Sequence, residues 1–184
     1  MDNSTAIVQK KSLALTIAEY VFLFLLGATA IVLHSKLRIP LHLPGRHGIE
    51  FMMLLLIGRN LSSSRFASSL SSLGVAAMLI VPILGFRDPL TSLAFILPGF
   101  AIDIFYNVFP KLNKNTWLLA LAAGFAYALI PITRLLISFS TGFMFESLLG
   151  GFIYPLTTHF AFGFIGGLSG SAIMKTIKKR GKSI

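Results

Sequence analysis

Six long apolar runs, separated by short polar segments, make up most of the 184-residue chain. A membrane-spanning helix needs roughly 20 apolar residues to cross about 30 Å of hydrocarbon. By that measure the runs predict membrane helices at 12–34, 47–60, 66–86, 90–109, 115–139 and 152–175. The second run is the shortest, so five spans with one re-entrant segment is the alternative. The pattern predicts an all-α integral membrane protein, a bundle of six transmembrane helices forming one membrane domain over residues 1–184.

Composition agrees with a lipid-embedded chain. Only 12% of the residues are charged and 55% are hydrophobic, whereas a soluble domain carries about 25% charged residues. The chain has no cysteine, which excludes disulfides and thiolate metal ligands. We expect no cleavable signal, because the first apolar run is too long for a signal core. The net charge of +10 comes from short clusters between apolar runs, a membrane-protein pattern. No nucleic-acid partner and no cofactor are predicted.

The distribution of basic residues predicts the orientation in the membrane. With the N-terminus in the cytoplasm, eleven of the sixteen lysines and arginines fall in cytoplasmic segments. The main exceptions are in the first outer connection, at Lys36, Arg38 and Arg46. The basic C-terminal tail outweighs them under the positive-inside rule. We therefore predict that the N- and C-termini are both cytoplasmic.

Small residues form stripes on several of the predicted spans. The last span has four glycines on one helical face, and the fifth span has a similar alanine and glycine stripe: Gly163, Gly166, Gly167, Gly170, and Ala120, Ala123, Gly124, Ala128. Helices in lipid associate closely through such residues. We predict that both stripes pack inside the bundle. The serine-rich stretch 62–72 is interpreted as a polar cap and a small-residue packing face.

The first span carries Ala14 and Ala18, four residues apart and near its cytoplasmic end. Together with six short spans, cytoplasmic termini and a long first outer loop, this pattern resembles the substrate-binding S-components of energy-coupling factor vitamin transporters. In that family an Ala-x-x-x-Ala face on the first helix docks against a transmembrane coupling protein, and Ala14 and Ala18 match that position. The resemblance implies capture of a vitamin-like ligand at the outer face. It also implies a pair of cytoplasmic ATPases as partners and a prokaryotic cell membrane.

Polar side chains at membrane depth are the candidates for a binding site, because an ionisable group costs several kcal/mol there unless it is paired or hydrated. The topology brings six such residues toward the outer half of the bundle: Arg46, His47, Glu50, Arg134, Tyr154 and His159. Arginine and histidine suit a carboxylate or phosphate. Aromatic residues of the connection between spans five and six suit a planar ring. We predict a substrate site here, with the segment 34–50 as its lid.

Each of these residues also has a structural explanation. Arg134 can extend to the outer head groups. Arg46 and Glu50 can form an ion pair four residues apart on a helix. His159 can hydrogen-bond across helices, and Tyr154 fits an interfacial aromatic belt. It is their shared level in the membrane that favours a pocket.

Two acidic residues lie toward the cytoplasmic half of the bundle. Asp103 in the fourth span is interpreted as a pairing residue, with proton relay as the functional alternative. Glu19 in the first span has two interpretations, a structural hydrogen bond or a docking contact. Neither is assigned to the substrate site.

The sequence motifs also bear on functions other than uptake of an organic nutrient. The chain has no G-x-x-x-x-G-K-[ST], H-E-x-x-H or G-x-S-x-G motif, so it is predicted not to be an enzyme and to depend on partner ATPases. The alternatives are an intramembrane enzyme of unknown reaction and a transition-metal uptake subunit. The metal ligands would be His34, His42, His47 and His159, although basic neighbours repel cations. A secondary carrier would show a repeat of broken helices, and none is evident.

Overall fold

The structure, a computed structural model, describes residues 12–36, 43–81, 90–110 and 114–181. Within these ranges the chain forms six α-helices and a 3₁₀ helix between the last two. They are α1 Leu13–Lys36, α2 Gly48–Leu61, α3 Ala67–Leu79, α4 Thr91–Val108, α5 Thr116–Thr141, the 3₁₀ helix Glu146–Leu148, and α6 Ile153–Arg180. The predicted all-α bundle is confirmed, and each predicted span corresponds to one helix.

The helices differ in their ability to cross a membrane. Helices α1, α4, α5 and α6 are long and apolar enough to do so, which makes this a multi-pass membrane protein. Helices α2 and α3 have 14 and 13 residues. Each therefore extends roughly 20 Å at 1.5 Å per residue, short of a hydrocarbon core of about 30 Å. The third span was predicted to reach residue 86, but α3 ends at Leu79 and residues 82–89 lie outside the described ranges.

The six helices pack as a closed ring. Going around it, α1 contacts α3, α3 contacts α4, α4 contacts α5, α5 contacts α6, α6 contacts α2, and α2 returns to α1. Helix α2 also touches α3 and α5, so this short helix lies toward the middle of the bundle. Four of its side chains are almost completely buried in the core: Phe51, Met52, Leu55 and Leu56.

Polar contacts show which helix ends lie together. Ser62 donates a hydrogen bond to Glu19 at 2.6 Å, which gives Glu19 a structural partner. The amide of Asn60 donates to the Tyr106 hydroxyl at 2.9 Å, and Lys178 donates to the Asn60 side-chain oxygen at 3.3 Å. The start of α1 and the end of α6 are therefore at the same end of the bundle. This agrees with the predicted topology, in which both termini lie on the same side of the membrane.

That end of the bundle, called the basic end below, carries most of the described cations: Arg59, Arg65, Lys114, Lys175, Lys178, Lys179 and Arg180. The opposite end carries Lys36, Arg46 and Arg134. The positive-inside rule predicts that the basic end faces the cytoplasm and the opposite end faces outward.

The glycine stripe of α6 packs inside the bundle, as predicted. A Cβ at Gly163 would lie 2.9 Å from the Ala123 carbonyl oxygen, and one at Gly167 would overlap the Ala123 side chain. A Cβ at Gly166 or Gly170 would lie 2.5 or 2.6 Å from backbone oxygens of α2. The glycines thus let α6 approach α5 and α2 at once.

Gly27 gives a stability prediction for the α1–α3 contact. A Cβ at this position would overlap the backbone carbonyl of Ser71, which can move only if the helices separate. We expect Gly27→Ala to lower the free energy of unfolding by about 1–3 kcal/mol, although alanine alone favours a helix. Thermal unfolding in detergent micelles measures this. The control is Gly150→Ala, where a Cβ meets no atom within 4 Å. Equal melting temperatures for both variants would contradict the close contact.

Candidate functional site

A cavity of about 350 Å³ lies at the end of the bundle opposite the basic end. Its lining comes from α1, α4, α5, α6 and the turn 43–47, with a contribution from the end of α3. Its polar and aromatic lining residues are His34, Arg46, His47, Thr91, Phe95, Tyr127, Arg134 and His159. The structure therefore brings four of the six predicted site residues together: Arg46, His47, Arg134 and His159.

The turn 43–47 holds Arg46 and His47 at the cavity by packing its backbone tightly against α5 and α6. Gly45 has φ of 79°, a left-handed conformation that favours glycine. A Cβ at Gly45 would lie 2.7 Å from the Nδ1 atom of His159, and one at Gly48 would overlap the Tyr127 ring. The P-G-R-H-G sequence at 44–48 thus provides small residues on both sides of the pair that faces the cavity.

His47 presents a buried hydrogen-bond donor near the cavity. The Nε of Arg46 donates to the Nε2 of His47 at 2.9 Å, so the histidine proton is on Nδ1. That Nδ1 is buried and has no hydrogen-bond partner in the described part of the chain. The His34 ring lies against the His47 ring, with 3.2 Å between the centroids. An acceptor atom on a ligand would satisfy the Nδ1 donor, whose burial is otherwise unfavourable.

The inner wall of the cavity is aromatic. The Tyr127 ring is fully buried and stacks on His159, with 5.0 Å between centroids and an interplanar angle of 28°. His159 is fixed by a 2.7 Å hydrogen bond from Nδ1 to the Pro155 carbonyl. Phe95 meets Tyr127 edge-on at 6.4 Å. Such a wall suits a flat ring, because aromatic groups prefer stacked or edge-to-face contacts.

Arg134 is positioned by the connection between α5 and α6. Its Nη1 donates to the Ser147 hydroxyl at 3.1 Å, and its guanidinium carbon lies 5.7 Å from the centre of the Phe145 ring. Phe145 is buried, whereas Phe139 and Phe143 of the same region are exposed. The Arg134 side chain is therefore held beside the cavity by defined contacts, and of these three aromatics Phe145 supports it.

The structure does not bring the other two predicted residues to the cavity. Tyr154 is half-exposed on α6 and is not among the described lining residues. Glu50 is buried near His47, and neither of its carboxylate oxygens has a hydrogen-bond partner within the described ranges. It also does not contribute to the lining. Part of the predicted lid, residues 37–42, lies outside the described residues.

Three of the polar and aromatic lining residues are not among the candidates from the sequence: Thr91, Phe95 and Tyr127. Tyr127 precedes Arg134 by seven residues on α5, a spacing that places both on one helical face. That spacing is the sequence feature from which Tyr127 could have been predicted to line the cavity. Phe95 and Thr91 gave none, because an aromatic residue and a helix-start threonine are common in any apolar helix.

Ala14 and Ala18 lie on an exposed face of α1 near the basic end. Their neighbours Leu15, Ile17 and Val21 are also exposed. This apolar face is exposed on the described bundle, as a docking surface within the membrane would require.

The charge of the cavity favours an anion. Arg46 and Arg134 both line it, and no acidic residue does so among the described residues. Arginine remains charged at any physiological pH, so a cation entering here is repelled. The described residues also contain no group of three His, Asp or Glu residues able to hold a metal ion.

No protein-family model matches this sequence, and neither a curated protein nor a solved structure shows a significant match. The residues and charge of the cavity are therefore the basis for a functional proposal.

Proposed function

We propose that this protein is the high-affinity substrate-binding subunit of an energy-coupling-factor-type importer, and that it takes up a small anionic organic nutrient with a planar ring. The observation that supports this most strongly is the cavity itself. Arg46 and Arg134 reach it from different elements, and a stacked Tyr127–His159 pair forms its wall. A vitamin or a vitamin precursor has the matching chemistry.

The dimensions and donors of the cavity fit such a ligand. A volume of about 350 Å³ falls within the usual range of roughly 300–1,000 Å³ for small-molecule pockets. Guanidinium groups bind carboxylate and phosphate through paired hydrogen bonds. The Nδ1–H of His47 supplies a further neutral donor. In this proposal the anionic group lies between the two arginines and the ring lies against Tyr127.

Energy for uptake would come from partners, because the sequence has no nucleotide-binding loop. The proposed partners are a transmembrane coupling protein and a pair of cytoplasmic ATPases. The exposed face around Ala14 and Ala18 supports such an assembly, since it lies at the basic end, where the ATPases would be located.

Mass spectrometry of small molecules released from the detergent-purified protein tests the proposal. We expect an anionic, ring-containing compound in near-stoichiometric amount, because two arginines and a desolvated donor hold it. Elemental analysis of the same sample is the control for metal uptake. A stoichiometric transition metal without an organic ligand would contradict the proposal. So would the absence of both a released compound and measurable binding across a panel of anionic vitamins.

A further inference from the structure

A second polar recess lies at the basic end, between the start of α5 and the last turns of α6. It measures about 110 Å³, and its polar lining includes Lys114, Ser171, Lys175 and Lys178. A water molecule needs only about 10–15 Å³ of cavity, so the recess has room for a polyatomic group. A wider groove of about 390 Å³ adjoins it and shares Lys114 and Lys175.

Ser171 lines the recess and carries a buried hydroxyl without a partner among the described residues. Its side chain is 5% exposed. The threonine hydroxyls of α6 bond to their own helix: Thr176, for example, donates to the Ala172 carbonyl at 3.0 Å. A buried hydroxyl without a partner is unfavourable, and a ligand oxygen in the recess would satisfy it.

The charge around the recess is positive. Three lysines line it, and no acid lines the recess or the groove in the described part of the chain. Helix α5 begins at Thr116, which lines both spaces. The Asn115 side chain already accepts from the N–H groups of Trp117 and Leu118, so this helix end adds only its dipole to the positive charge. Lys178 is oriented by its hydrogen bond to Asn60. This combination suits a phosphate group.

Aromatic residues beside the groove indicate that the phosphate belongs to a lipid. Trp117 is 62% exposed and lines the groove, and exposed tryptophan is typical of the membrane interface. Its ring lies 6.1 Å from Phe164, which lies 6.4 Å from Phe160, and Phe160 contacts Phe125 at 5.0 Å. An aromatic ridge thus runs from the lysines along α5 and α6 toward the membrane interior. A lipid would meet cations at its head group and apolar rings along its chains.

We propose that Lys114, Lys175 and Ser171 form a binding site for the phosphate of an anionic phospholipid, whose acyl chains lie along the Trp117–Phe125 ridge. Under the predicted orientation the lipid belongs to the cytoplasmic leaflet. The site is separate from the substrate cavity, and the proposal does not depend on what that cavity binds.

Native mass spectrometry of the full chain in detergent, titrated with phosphatidylglycerol or with phosphatidylcholine of the same acyl chains, tests this. We expect the wild-type protein to retain phosphatidylglycerol preferentially. A lysine that donates directly to the lipid phosphate contributes about tenfold in binding, so Lys114→Gln with Lys175→Gln should weaken retention roughly 100-fold. The matched control, Arg65→Gln with Lys179→Gln, removes two charges at the same end outside the recess and should resemble wild type.

Ser171→Ala provides a second test that leaves the charge unchanged. Loss of one hydrogen bond should weaken phosphatidylglycerol binding about fivefold. In lipid-free detergent the same variant should melt slightly above the wild type, because it removes an unpartnered buried hydroxyl. If the double lysine variant does not fold, Ser171→Ala still tests whether the recess binds the lipid phosphate.

Several outcomes would overturn the proposal. Equal retention of the two lipids, or equal weakening by the recess and control pairs of substitutions, would indicate general surface charge. Displacement of the lipid by low concentrations of inorganic phosphate would indicate a free-phosphate site. If the double lysine variant binds lipid like the wild type but no longer captures an acidic partner protein, the lysines bind that partner instead.

Discussion

Asp103→Ala is expected to lower the free energy of unfolding by about 3–5 kcal/mol, because it breaks a buried charge pair and removes a helix cap. Asp103 of α4 accepts hydrogen bonds from the backbone N–H groups of Ser68 and Ser69, at 3.0 and 2.7 Å, and from the Ser69 hydroxyl at 2.7 Å. Its carboxylate is also 3.8 Å from the Arg59 guanidinium. Asp103 thus pairs with groups of other helices, as the sequence predicts.

The cap explains why the effect should be large. The N-cap residue of α3 is Phe66, which has no side-chain oxygen to satisfy the first N–H groups of the helix. Asp103 supplies that acceptor from a different helix. Without it, two buried N–H donors lose their partner and the Arg59 charge loses its carboxylate.

Unfolding of purified protein in mixed micelles measures the Asp103 effect. Glu146→Ala is the matched control, since it removes an exposed carboxylate and should change stability by less than about 0.5 kcal/mol. Asp103→Asn keeps the volume and one acceptor, and should fall between the two. A result in which Asp103→Ala resembles the control would show that the cap is dispensable. An Asn variant of wild-type stability whose uptake has lost its pH dependence would support proton relay instead.

Arg134→Gln is expected to weaken binding of the co-purifying ligand by about 2–5 kcal/mol, or at least 30-fold, because it removes one of the two guanidinium groups that balance the charge of the ligand anion. The cavity compensates only in part, because one guanidinium would then hold an anion that two held before. Its other guanidinium, Arg46, is engaged with His47, and the aromatic wall carries no charge.

Equilibrium binding of the identified ligand to each variant measures the Arg134 effect. Arg65→Gln is the control, because it removes an equivalent charge at the basic end. Ser147→Ala should weaken binding by no more than about tenfold, since it removes one hydrogen bond that orients Arg134 but keeps the charge. If Arg134→Gln protein melts like wild type and binds its ligand unchanged, Arg134 has only a structural or interfacial role.

The candidate site was predicted in part. Arg46, His47, Arg134 and His159 were selected because polar groups at membrane depth are costly and the topology brought them to one end. Tyr154 lies five residues from His159 on the same helix, a spacing that rotates its side chain by about 140°, and it is not among the described lining residues. Tyr127 was missed because an aromatic residue in an apolar span looks like packing until its neighbours are known.

Local sequence is enough to predict that this chain is a helical membrane bundle. Backbone N–H and C=O groups in hydrocarbon must bond within their own segment, so long apolar runs leave the chain little choice but helices. Small residues at helical spacing likewise indicated the faces of α5 and α6 that pack together. Both conclusions depend on local sequence alone.

The tertiary structure alone decided which helices are neighbours and which polar groups meet. Lipid and protein core are both apolar, so hydrophobic periodicity does not specify how a membrane helix is rotated or where it lies in the ring. The central position of α2, the capping of α3 by Asp103, and the unpartnered Ser171 hydroxyl among lysines all follow from that packing. Each joins residues that are distant in the sequence, because the contacts form between helices.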